Sequence, residues 1–148
     1  MLSTGSGRDK VRTCRGTAVV FAVLAACAAG SCRSDPSTAR GTAELFLDAH
    51  YVRIDLAATL PLTTGVARHK VEEEIGLVRG QAIDETTRKP TVHYRLLEEH
   101  PDGDEAVNFV YRGSITVEDA DRFERRWLLT VRRQEDGWRV ANYQELGG

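Results

Sequence analysis

The groups of this chain that could do chemistry fall into three sets. The first is thiol: Cys14, Cys27 and Cys32 all precede Arg33, and no cysteine follows. A thiolate is a strong nucleophile, so these positions could capture an electrophile. The rest of the chain can form neither an internal disulfide nor a thiolate metal site. The second set holds acid/base types, His50, Asp55, Tyr94 and Tyr111, scattered through the middle of the chain. The third is a string of guanidiniums, Arg122, Arg125, Arg126, Arg132, Arg133 and Arg139, which could meet an anionic partner.

The setting of the cysteines is the most informative. Arg8, Lys10, Arg12 and Arg15 against Asp9 give the first 26 residues a net charge of +3. An uncharged run of 16 residues, Gly16 to Ser31, follows and ends in small residues. Basic, then apolar, then small is the layout of an export signal, and the run is shorter than the roughly 20 residues of a spanning helix. Leu24-Ala25-Ala26-Cys27 resembles the lipobox of bacterial lipoproteins: an aliphatic residue, two small ones and cysteine. The resemblance implies cleavage before Cys27, a diacylglyceryl thioether on its sulfur and attachment to a membrane through the lipidated cysteine. Cys32 is the competing site, but Ala29 stands where the aliphatic residue belongs. Ala28 follows Cys27 where an aspartate would resemble an inner-membrane retention signal. In a host with two membranes, this favours the periplasmic side of the outer one.

The expected organisation is therefore a signal peptide over 1–26, a flexible tether over 27–41 and one domain over 42–146. "RSDPSTARG" (Arg33 to Gly41) is polar, with Pro, Ser and Gly. A flexible tether of that length spans on the order of 20 Å. The whole chain carries −2 and its first 26 residues +3, so the remainder carries −5, which excludes an electrostatic footprint for nucleic acid.

Around the candidate residues, periodicity predicts the elements that hold them. Ala39, Ala43, Phe46, Leu47, His50 and Ile54 recur at spacings of three and four, one face of a first helix. Asp55 is placed to cap a short second helix, "LAATLPL", which Pro61 should end or bend. A third helix is expected from Thr63 to Val78, with Val71, Ile75 and Val78 as its apolar stripe. Arg68/Glu72 and Lys70/Glu74 are its surface ion pairs. After Pro90 the period becomes two: Val92, Tyr94 and Leu96, then Val107, Phe109, Tyr111, Ile115 and Val117, then Phe123, Trp127, Leu129 and Val131, then Trp138, Val140 and Tyr143. Turns fall at "HPDGDE", "EDAD" and "EDG". Helices followed by a four-stranded meander make an α+β class.

"AELFLDAHYVRIDLAATL" (Ala43 to Leu60) and "DGWRVANYQE" (Asp136 to Glu145) resemble the nuclear transport factor two superfamily, also called SnoaL-like or cystatin-like. The resemblance implies N-terminal helices packed in a curved antiparallel sheet, a cone-like α+β roll. It covers nearly all of residues 42–146 and carries no catalytic signature, since the fold hosts isomerases, dehydratases, adaptors and lipoproteins alike.

Each candidate has a functional and a structural reading. His50 lies on the apolar stripe and could act as a general acid/base in the cone beside Tyr94 or Tyr111; the commoner fate of such a histidine is a hydrogen-bonded core residue. Asp55 reads first as a helix cap and Asp48 as a solvated side chain. His69 and Glu73 have metal-ligand spacing but no third ligand nearby, so no metal and no cofactor is expected. Arg126 and Arg132 share a strand face and hairpin pairing could add Arg139, making a patch for an anionic partner or an ordinary exposed face. No Gly-rich phosphate loop, nucleophile elbow or His-Glu-x-x-His is present. The sequence points to a lipid-anchored envelope accessory or binding protein, with an envelope partner or a second copy of itself. The alternative is a small apolar ligand bound or isomerised in the cone, with His50, Tyr94, Tyr111 and Trp127 as its lining.

Overall fold

Period-two alternation resolves into four antiparallel strands in the order of the chain: β1 Thr91–Asp102, β2 Ala106–Thr116, β3 Phe123–Gln134 and β4 Gly137–Leu146. The computed structural model describes residues 34–80, 89–118 and 122–147, so Cys27, Cys32, the export segment and most of "EDAD" lie outside the described residues. Before the sheet come α1 (Ala39–Leu47), α2 (Leu56–Thr59) and α3 (Gly65–Val78), giving the expected α+β class. The helices cover one sheet face. Phe46, Leu47, Ala67 and Val71 from α1 and α3 join Phe109, Tyr111, Trp127, Leu129, Val131 and Val140 from the strands in one core. Burying each large side chain of this kind stabilises by ~1.5–3 kcal/mol.

The helix group departs from simple periodicity at both ends. Thr38 caps α1 by accepting from the Gly41 amide at 2.9 Å. The Asp35 backbone lies so close to Gly41 that a Cβ there would sit 1.8 Å from the Asp35 carbonyl oxygen. Ala39 therefore opens α1, as its place on the apolar face predicts, and Arg40 and Gly41, expected at the end of the tether, belong to the same first turn. At its other end α1 widens into a single π turn, Asp48–Val52, closed by Arg53 N–H donating to Asp48 O at 2.8 Å. Ile54 then adopts a left-handed φ of 56°, unusual for a β-branched residue, and turns the chain into α2. Asp55 caps α2, its Oδ1 accepting from Ala58 N–H at 3.1 Å. A 3₁₀ turn carries Pro61.

Expected Thr63 is not yet helical. It makes a parallel bridge with Val140, and Thr64 N–H donates to Val140 O at 2.9 Å, so these residues cover the β4 edge. Ala67 and Val71 point inward from α3 and Ile75 is half-buried, whereas Val78 is 45% exposed and does not belong to the stripe.

Two register shifts bend the sheet. Leu97 is an extra residue in β1, between the Leu96–Tyr111 and Glu98–Val110 pairs. Ala141 is extra in β4, between the Val131–Val140 and Thr130–Asn142 pairs. The second shift explains why Val140 and Tyr143, three apart, both face the core. β1 runs on to Asp102, narrowing the first turn to Gly103–Glu105, and Val117 lies past the end of β2. Glu135 and Asp136 form the two-residue hairpin, with Gly137 at φ 123°. Gly113 is needed for a close approach instead, since a Cβ there would fall 2.0 Å from the Trp127 indole, which lies across it.

Candidate functional site

The inner polar site starts from the π turn, which fans out three side chains that a regular helix would hold differently. Asp48 accepts from the Tyr94 hydroxyl through Oδ1 at 2.8 Å. His50 reaches Glu74 Oε2 on α3 through Nε2 at 2.7 Å, and the other oxygen, Oε1, accepts from Tyr143 OH at 2.7 Å. Tyr51 stacks on Trp127 with ring centres 4.3 Å apart. One carboxylate thus bridges the first helix segment to β4. The expected Lys70/Glu74 surface pair does not form. Instead Lys70 Nζ donates to Tyr143 O at 2.8 Å and Asn142 Oδ1 at 3.1 Å, capping the sheet edge. Arg68 and Glu72 do pair, at 3.0 Å.

His50 is enclosed by rings: Phe46 at 5.1 Å, Tyr51 at 4.4 Å and Tyr143 at 5.1 Å. Its side chain is only 10% exposed. Burial lowers its pKa from the ordinary 6.5, and the Glu74 charge and hydrogen bond oppose that shift only in part. Burial also raises the phenols of Tyr51, Tyr94, Tyr111 and Tyr143, and the Asp48 and Glu74 hydrogen bonds add to the rise for Tyr94 and Tyr143. These phenols are neutral donors at ordinary pH. Among the described residues three buried side-chain polar atoms have no partner: His50 Nδ1, Tyr111 OH and Trp127 Nε1.

Around this set the described core residues are closely packed. Phe46, Phe109 and Tyr111 are 0% exposed and Trp127 is 1% exposed. Of the four residues expected to line a pocket, His50 is tied to α3, Tyr94 to the π turn, and Tyr111 and Trp127 pack as core. Asp55 is exposed and occupied by its cap. The hydrogen bonds of the inner set cross-link helix to sheet.

The arginines divide by register. Arg132 pairs with Arg139 at one end of the β3–β4 ladder, and Arg139 is held by Asp136 Oδ2 at 2.6 Å. Arg126 lies six residues back along β3, ~20 Å away, and pairs with Arg112. Arg126, Arg132 and Arg139 are therefore not one cluster. The neighbours that register brings to Arg126 are Arg112 and Arg95, which the order of residues along the chain does not group with it. Their alternation with the core positions of β1 and β2 is the signal that could have found them. His69 and Glu73 form an exposed pair at 3.3 Å. Among the described residues no group of three or more His, Cys, Asp or Glu could hold a metal, and no helix is long and apolar enough to cross a membrane.

No family model matches the sequence, and no curated protein matches it. Solved structures do match in shape. A ketosteroid isomerase-like protein from Erwinia carotovora atroseptica aligns with TM-score 0.51 at 14% identity, over 76% of this chain and 97% of that one. A nuclear-transport-factor-two-like protein of unknown function from Shewanella oneidensis gives TM-score 0.51 at 13% identity, over 70% and 92%. This chain has the nuclear-transport-factor-two-like fold. The VirB8 protein of Agrobacterium tumefaciens also aligns, with TM-score 0.50 at 9% identity, over 72% and 88%. At such identities the likeness extends to the backbone fold and not to side-chain chemistry.

Proposed function

We propose that this protein is a lipid-anchored accessory or binding protein of the cell envelope that does no chemistry inside its cone. The address rests on the lipobox-like Leu24–Cys27 behind a basic, then apolar, segment. The absence of cone chemistry rests on one observation: His50, the histidine that faces the interior, is committed to Glu74 and packed among Phe46, Tyr51 and Tyr143. A general base needs room for a substrate atom within hydrogen-bond reach, and aromatic side chains fill that room. Labelling cells with an alkyne fatty acid and weighing the mature protein tests the anchor. Label lost on Cys27→Ser and kept on Cys32→Ser supports it; no label on either cysteine rejects it.

A second reading, a small apolar ligand or an isomerase- or dehydratase-type reaction in the cone, is favoured by the three unpartnered atoms on His50, Tyr111 and Trp127. Buried polar groups normally find a partner, so a ligand that opened the ring cluster would meet three waiting groups. Chemical-shift changes confined to these residues on adding an apolar steroid or polyketide-like probe would support this reading over the first.

A further inference from the structure

The outer sheet face, opposite the helices, carries an arrangement that stability alone does not explain. Arg95, Arg112 and Arg126 are direct cross-strand neighbours on β1, β2 and β3. Like charges directly opposite each other destabilise a sheet, and three guanidiniums in one row compound that cost. Nearby carboxylates offset it poorly. Arg112 reaches Glu124 only at 3.9 Å, and Arg126 reaches Glu98 only at 3.8 Å, while Glu98 also pairs with His100 at 2.9 Å. Arg95 and Arg122 form no salt bridge with any described residue. Two residues further along, His93, Ser114 and Glu124 stand side by side across the same three strands. A recess of about 240 Å³ opens there, and besides Tyr94 its lining is His93, Arg95, Arg112, Ser114, Arg122 and Glu124.

We infer that this recess binds the phosphate group of a phosphate-bearing ligand. Arginine forks match planar or tetrahedral oxyanions. One carboxylate is satisfied by a single fork, whereas three forks with a serine hydroxyl and an imidazole supply more donors than two oxygens accept. A phosphate offers three or four oxygens and up to two charges. Binding relieves the repulsion along the arginine row, and Glu124 is the built-in competitor that weakens it. The inference stands apart from the proposed anchor, because it concerns the outer face and needs no acyl chain. Free phosphate esters and phospholipid headgroups share this chemistry, and the test separates them.

The full chain carrying Cys27→Ser, made without acylation, is titrated with inorganic phosphate at constant ionic strength while backbone amide shifts are followed. The expected result is saturable shifts at His93, Ser114 and Glu124, with acetate at least tenfold weaker. Arg112→Gln should weaken phosphate about tenfold, ~1.4 kcal/mol, Arg112→Lys should weaken it less, and Glu124→Gln should strengthen it. Arg132→Gln, at the far end of β3, should change nothing. Co-sedimentation with phosphatidylglycerol vesicles, compared with phosphatidylcholine, identifies the source. Arginine-dependent adhesion points to headgroups, and phosphate shifts without adhesion point to a soluble ester. Phosphate and acetate shifting the same amides equally, or Glu124→Gln failing to tighten binding, overturns the inference.

Discussion

The two faces of the sheet treat polar groups in opposite ways. On the inner face the polar side chains are few, and most are consumed: Glu74 serves His50 and Tyr143 together, and Asp48 serves Tyr94. On the outer face charges are many, and along the row Arg95, Arg112 and Arg126 their partners are distant or missing. A satisfied buried network rigidifies a core. An unsatisfied exposed row adds nothing to folding and is available to something else. The inferred phosphate site accordingly lies on the side away from the helices, although the cone is where the fold invites attention.

The largest test of that contrast is Trp127→Ala, which removes the side chain bridging Tyr51 and Gly113 and should cost ~3–5 kcal/mol in urea unfolding. Gly113→Ala should follow at ~1–3 kcal/mol, because the added methyl meets the indole and the core must shift. Glu74→Gln should cost ~1 kcal/mol, since it weakens two hydrogen bonds from a partly exposed position. Arg112→Gln should lie within ~0.5 kcal/mol of wild type, and a rise in stability would sharpen the case for a repulsive row. If Arg112→Gln destabilised as much as Glu74→Gln, the contrast between the faces would be lost.

Acidity sharpens it further. His50 has its pKa lowered from 6.5 in the folded state, so the unfolded chain takes up a proton first as pH falls. The stability held above pH 6.5 should decline below it, and His50→Phe should flatten that decline in thermal melts run at successive pH values. The tyrosines run the other way. With phenols raised from the ordinary 10.0, stability present below pH 10 should drain away as pH rises further, and Tyr143→Phe should reduce the loss.

Much of the architecture is legible in the sequence because it is written in local periods. Period two marks all four strands, the Glu135–Gly137 signal marks its hairpin, and Asp55 reads correctly as a cap. What escapes is set by register and distance. Spacing alone offers Lys70 as the partner of Glu74, yet its partners are His50 and Tyr143, 24 and 69 residues distant. The π turn has no local signature, and it decides where Asp48, His50 and Tyr51 point. Chain order groups the arginines along β3 and β4, whereas strand pairing groups Arg126 with Arg112 and Arg95.

The indole lying over Gly113 also constrains how this sequence can drift. Any side chain at 113 meets the indole while the tryptophan is in place, so even a methyl there forces the core to shift. Shrinking residue 127 leaves a hole beside the bare backbone that a methyl at 113 could then fill. The two sites are coupled in volume, so a methyl at 113 should cost less beside a small residue 127 than beside the tryptophan.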